Sequence, residues 1–143
     1  MLARLIILLC LLFATAAVAR EIVVQDDMGG EAEEREAEWR ELAKRADITV
    51  RIDGECVSAC AYVLGIMPKE RACVTRQAVF GFHMATDDTG APAPQFTREV
   101  YARTLPPSVQ AWLARQGPLS VRRMTWLRAE EVVRIGVFGW CRR

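Results

Sequence analysis

The chain is short of several things that would have named a function class at once. It has almost no charge imbalance, with 19 Lys and Arg against 18 Asp and Glu. It therefore lacks the basic excess of a nucleic-acid binder, and no Lys/Arg block offers itself to an acidic lipid surface. It carries one histidine, which leaves little for a multi-histidine metal centre. There is no internal repeat and no low-complexity tract, so solenoid and linker architectures fall away. Outside the N-terminus no segment is long and apolar enough to cross a bilayer, which takes about 20 residues.

What is present begins at that N-terminus. Arg4 gives a small positive start, Leu5 to Phe13 is an almost unbroken apolar run, and small residues follow to Ala17-Val18-Ala19. This is the three-part pattern of a secretory signal peptide cut after Ala19. A retained anchor is the alternative, but the run is short for a span. Cys10 does not read as a lipoprotein site, because Leu9 before it is not small. The expectation is a leader over 1–19, and a single periplasmic or secreted domain over 20–143, free of the membrane once the leader is cut. Loss of Arg4 with the leader brings the two charge signs level.

Beyond the leader lie Cys56, Cys60, Cys73 and Cys141. An even count in an oxidising compartment reads as two disulfides, with three connectivities open. The rival is a metal site made from these thiols and His83. Zinc modules use paired, closely spaced ligands, and the three-residue gap followed by distant single cysteines is not that spacing. No metal and no cofactor is expected.

Along the chain, Glu21-Ile-Val-Val-Gln25 is a β-branched strand candidate, broken at Asp26-Asp27-Met28-Gly29-Gly30. Glu31 to Ala46 predicts a helix, with opposite charges at i,i+4 (Glu31/Arg35, Glu36/Arg40, Glu41/Arg45) and an apolar stripe through Trp39, Leu42, Ala43 and Ala46. Ile48, Val50 and Ile52 then alternate as a second strand. Strand, helix, strand predicts a parallel βαβ unit. A short helix is expected over Ala61 to Met67, strands over Arg71 to Thr75 and Ala78 to Phe82, and a loop over Met84 to Gln95. Helices are expected over 96–104, 107–115 and 119–135, with Val137 to Cys141 as a last strand. The fold class is α/β with a helical C-terminal region.

Three features of this layout combine into one chemical hypothesis. Ser58 stands where a strand hands over to a short helix, the placement of a nucleophile elbow, although the Gly-x-Ser-x-Gly pattern is absent; a helix N-cap serine is the plainer alternative. His83 ends a strand that would finish at the same sheet edge, and neutral imidazole can take a serine proton and return it to a leaving group. Gly29-Gly30 closes the first strand, where backbone N–H groups can approach a substrate carbonyl. It is not a dinucleotide site, because the third glycine of that fingerprint is missing.

The order of these parts resembles the proteolytic subunit of the Clp protease and its crotonase-fold relatives, most closely exported bacterial members with Ser-Ala-Cys at the nucleophile and Phe-His at the base. The matching stretches are Ile22–Gly30, Thr49–Leu64, Cys73–His83 and the tail from Trp126 to Val137. The resemblance implies a compact ClpP/crotonase-like parallel sheet, Ser58 as nucleophile, His83 as general base, and Gly29 and Ala59 N–H groups as oxyanion donors. It departs at the acid of the triad, where the register places Met124. Asp87 and Asp88 lie on a Pro/Gly-rich loop and read as exposed. That leaves a Ser–His dyad, a backbone carbonyl in the orienting position, or an idle site. A serine hydrolase acting on peptide or protein is one expectation; a silent binding or scaffold module using the cleft near Met84–Gln95 is the other, with a purely structural disulfide-stapled envelope protein behind them. The region after His83 is shorter than in the Clp subunit, which speaks against that family's ring, though not against a smaller oligomer. Among the connectivities, Cys56–Cys60 with Cys73–Cys141 is preferred, since the second bridge would fasten the C-terminus to the sheet.

Overall fold

The computed structural model describes residues 19–142. The expected leader, apart from Ala19, lies outside the described residues. Strand β1 (Arg20–Asp27) runs parallel to β2 (Ile48–Val57), joined by helix α1 (Ala32–Lys44). The alternation at Ile48, Val50 and Ile52 buries all three against the core. On α1, Trp39 is the one fully buried side chain, with Ala32, Leu42 and Ala43 packed beside it.

Of the three expected i,i+4 ion pairs, Glu36–Arg40 forms at 2.8 Å. The other two do not, because Glu31 and Arg45 are the capping residues and stand outside the helical turns. Arg45 pairs with Asp47 instead, and Arg35 turns to Asp27 and Glu38.

β1 occupies one edge of β2, and the other edge is divided. β3 (Ala72–Val74) pairs with Val50–Ile52, and β4 (Val79–Phe82) with Glu55–Val57, both parallel. β6 (Gly139–Trp140) extends the sheet beyond β3, and the Cys73–Cys141 disulfide covers that junction. Helices α3 (Pro94–Thr104) and α4 (Pro107–Arg115) each start with proline in the first turn, where its missing N–H costs nothing. They pack Tyr101 and Trp112 against Phe82. Between β2 and β3 lies a 3-10 turn (Ser58–Tyr62) running into a single helical turn, α2 (Val63–Ile66).

The expected helix over 119–135 is not formed as such. Thr125–Arg128 is a strand, β5, antiparallel to β4, and only Ala129–Arg134 is helical, as α5. The free edge of β4 needs a partner, and Leu127 opposite Phe80 supplies a fully buried side chain there. Burying one leucine is worth about 2 kcal/mol. An exposed helix over the same residues would forgo that.

The β1–β2 ladder shifts register between Val24 and Asp26, so that Asp53 and Gly54 lie opposite Gln25. Such a bulge re-aims the strand beyond it, here the segment that carries Cys56 and Ser58. It requires glycine: a Cβ on Gly54 would lie 1.8 Å from the Gln25 carbonyl oxygen. Gly54→Ala is expected to destabilise the fold by about 3 kcal/mol, the upper end for overpacking. A urea midpoint that does not fall in this variant would show that the backbone yields without cost.

Candidate active site

β2 delivers Ser58 at its C-terminal end, and the chain turns sharply there. Ser58 is the one non-glycine residue with positive φ (56°) among the described residues. A serine held in the left-handed region carries strain of roughly 1–3 kcal/mol. It lasts only because the neighbours fix it. Ala59, Cys60 and Ala61 are buried, and Cys56 is disulfide-bonded to Cys60 across the turn, with Cα atoms 5.2 Å apart. Both bridges have the preferred connectivity, and two disulfides point to an oxidising environment. The N-cap alternative for Ser58 does not hold, because Val57 occupies the cap position and no side chain caps the turn.

The parallel register Val57↔Gly81 brings the ends of β2 and β4 level. Ser58 and His83 therefore emerge side by side, and Ser58 Oγ lies 2.9 Å from His83 Nε2. On its other side His83 Nδ1 is 2.9 Å from the Met84 carbonyl oxygen. Met124 sits just before β5, next to Thr125, which pairs with Phe82. Asp87 is committed elsewhere: its carboxylate accepts from Thr89 and from the Ala91 N–H, which closes the loop. Those same bonds hold it below the usual carboxylate range. Asp88 is exposed.

Gly29 touches the elbow directly. A Cβ there would lie 2.8 Å from the Val57 carbonyl oxygen and 2.9 Å from Ser58 Cβ, and its φ is +100°, so both space and backbone demand glycine. Its N–H is not turned to the cleft, however. It donates to Asp27 Oδ1 at 2.8 Å, while Asp27 Oδ2 holds Arg35. The expected oxyanion donor is thus engaged by an Asp-x-Gly turn. Gly30, not Gly29, lines the cleft with Ser58 and His83. Ala59 stays at the start of the 3-10 turn, its nitrogen 3.0 Å from that same Cβ position on Gly29.

The cleft has a volume of about 600 Å³. Glu31, Glu33, Glu34, Asp87 and Asp88 border it, and no Lys or Arg does. Among the described residues no three His, Cys, Asp or Glu side chains gather as a metal-holding group, and no helix is long and apolar enough to cross a membrane. Sequence reasoning named Gly30 beside Gly29 and allowed a backbone carbonyl behind His83 without saying which; it missed the Asp27 turn and Tyr101, whose hydroxyl donates to the His83 carbonyl at 3.0 Å. Only the Asp-x-Gly spacing of the first offered a signal.

The fold so assembled is ClpP-like. Among solved structures that match it, a mutant of ClpP1 from Listeria monocytogenes has a TM-score of 0.50 over 86% of this chain and 75% of that chain, at 17% sequence identity. At that identity the likeness concerns the fold. No protein-family model matches the sequence, and no curated protein matches it.

Both tyrosines of the chain stand beside the site. Burial pushes the Tyr62 phenol up from 10.0 to about 12. Burial, reinforced by Tyr62, raises Tyr101 further. A raised phenol keeps its proton in the folded chain while the unfolded chain releases it, so stability is complete below pH about 10 and declines as pH rises beyond. The urea midpoint is expected to fall between neutral pH and pH about 11, and to fall less in Tyr101→Phe. An alkaline midpoint equal to the neutral one would remove this role for the two phenols.

Proposed function

We propose that this chain is an exported serine hydrolase, a peptidase in the first instance, that cleaves an amide or ester with Ser58 and His83. The observation that carries the reading is the 2.9 Å pairing of Ser58 Oγ with His83 Nε2 on a left-handed turn at the end of β2. In this reading Ser58 Oγ attacks the substrate carbonyl as its proton passes to His83 Nε2. The tetrahedral oxyanion is met by the Ala59 N–H and by the Gly30 turn, the kind of donor worth about 2.7–4 kcal/mol to a transition state. His83 returns the proton to the leaving amine or alcohol, and water repeats the sequence in reverse to free the acid and restore Ser58. The leader over 1–19 is removed after Ala19, which leaves one domain, 20–143, in the periplasm or outside the cell.

A second reading draws on Met124. With no carboxylate behind His83, the protein would be a silent binding module that holds a peptide in the same cleft. A fluorophosphonate probe separates the two. The mature protein is expected to be labelled, labelling to vanish in Ser58→Ala, and its rate to drop roughly a hundredfold or more in His83→Ala. Absence of labelling on folded protein would leave the binding module standing.

The ring of carboxylates around the cleft bears on substrate choice. A cleft lined by one sign of charge concentrates ligands of the other. Esters and peptides with Lys or Arg beside the scissile bond are expected to react faster than Asp or Glu counterparts, by a margin that shrinks as salt is added. Equal rates for the two sets at low salt would mean the carboxylates serve the first turn of α1 and the loop alone.

A further inference from the structure

We propose that the Met84 carbonyl takes over the orienting part that a triad acid would play for His83, and that two residues of α3 keep it in place, Thr97 through the Ala85 N–H of the same peptide and Tyr101 through the peptide before it. A carbonyl oxygen only accepts, so the 2.9 Å contact with His83 Nδ1 requires the hydrogen on Nδ1. In the neutral ring Nε2 is then bare, and its contact with Ser58 Oγ is one in which the hydroxyl donates. This is the tautomer that a general base needs. A peptide dipole can fix a tautomer as a carboxylate does, without bringing a full charge.

A backbone carbonyl serves this way only if its peptide cannot rotate, and the segment 83–85 is tied at three successive residues. The Tyr101 hydroxyl donates to the His83 carbonyl at 3.0 Å. The Met84 N–H donates to the Ser120 carbonyl at 3.0 Å. The Ala85 N–H donates to Thr97 Oγ1 at 3.0 Å. Tyr101 and Thr97 lie one turn apart on α3, both buried, and Tyr101 packs edge-on to Phe82 with ring centroids 5.9 Å apart. Its phenol, raised by burial, remains a donor. Tyr101 touches neither substrate nor Ser58 in this arrangement; it acts through the His83 backbone.

His83 is the only histidine in the chain, so its ring nitrogens can be read without assignment. Nitrogen-15 spectra of histidine-labelled mature protein, at a pH where the ring is neutral, are expected to show the hydrogen on Nδ1, and to keep it there in Ser58→Ala. A ring protonated on Nε2 would overturn the proposal. Tyr101→Phe keeps the ring packing and removes one bond. It is expected to mix the two tautomers and slow fluorophosphonate labelling roughly tenfold, the lower end for losing a group that orients a histidine from behind. A lowered melting temperature with an unchanged tautomer would make Tyr101 a packing residue only. The kinetic arm rests on the hydrolase reading and the spectra do not. An Nδ1–H ring on unlabelled protein sinks that reading alone, and an Nε2–H ring on labelled protein sinks this inference alone.

Discussion

A β-strand has two edges, and β2 has three neighbours. That constraint shapes the molecule. β1 takes one edge along almost its whole length, so β3 and β4 must share the other, each on its own half. The sharing sends β3 toward the C-terminal strand and β4 toward β5, and it ends β4 level with the end of β2. Ser58 and His83 are far apart in sequence, and they meet because two parallel strands paired to this register finish together. The bulge at Gly54 belongs to the same arrangement, since it sets the direction in which β2 arrives at the turn.

The turn itself is held against its own preference. A left-handed serine is unfavourable, and the compensation is local: a disulfide across the turn, small buried residues after it, and the Gly29 backbone pressed against it from the turn after β1. Backbone strain kept by such over-determination is a recurrent property of reactive sites. Around His83 the restraint is of another kind, three hydrogen bonds to consecutive backbone groups from α3 and from Ser120. The serine is fixed by covalent and steric means and the histidine by a strap. The cleft between them is open and acidic.

Much of this was legible in the residues and some was not. The parallel pair β1 and β2 showed in the alternation of Ile48, Val50 and Ile52, and the helix between them in its charge spacing. The meeting of Ser58 with His83 followed from strand order. β5 was hidden because no glycine or proline between 119 and 135 separates Thr125–Arg128 from the helix that follows. Only the empty edge of β4, a property of the assembled sheet, makes a strand of Thr125–Arg128. The engagement of the Gly29 N–H by Asp27 depends on how one peptide plane is turned, and side-chain identity says little about that. The Met84 carbonyl is the extreme case. Every residue has a carbonyl, so an orienting group made of backbone leaves no mark in the composition of the chain.

The bridge between Cys73 and Cys141 joins positions 68 residues apart, and everything from β4 to β6 hangs on the covalent ring it closes. That ring contains His83, the exposed loop after it, and the helices that strap it. A protease that cuts once within this stretch opens a link without releasing a piece. Both new ends stay covalently joined to the same sheet through Cys73 and Cys141. For a protein that folds in an oxidising environment, the knot lies where a nick would otherwise part the two halves of its cleft.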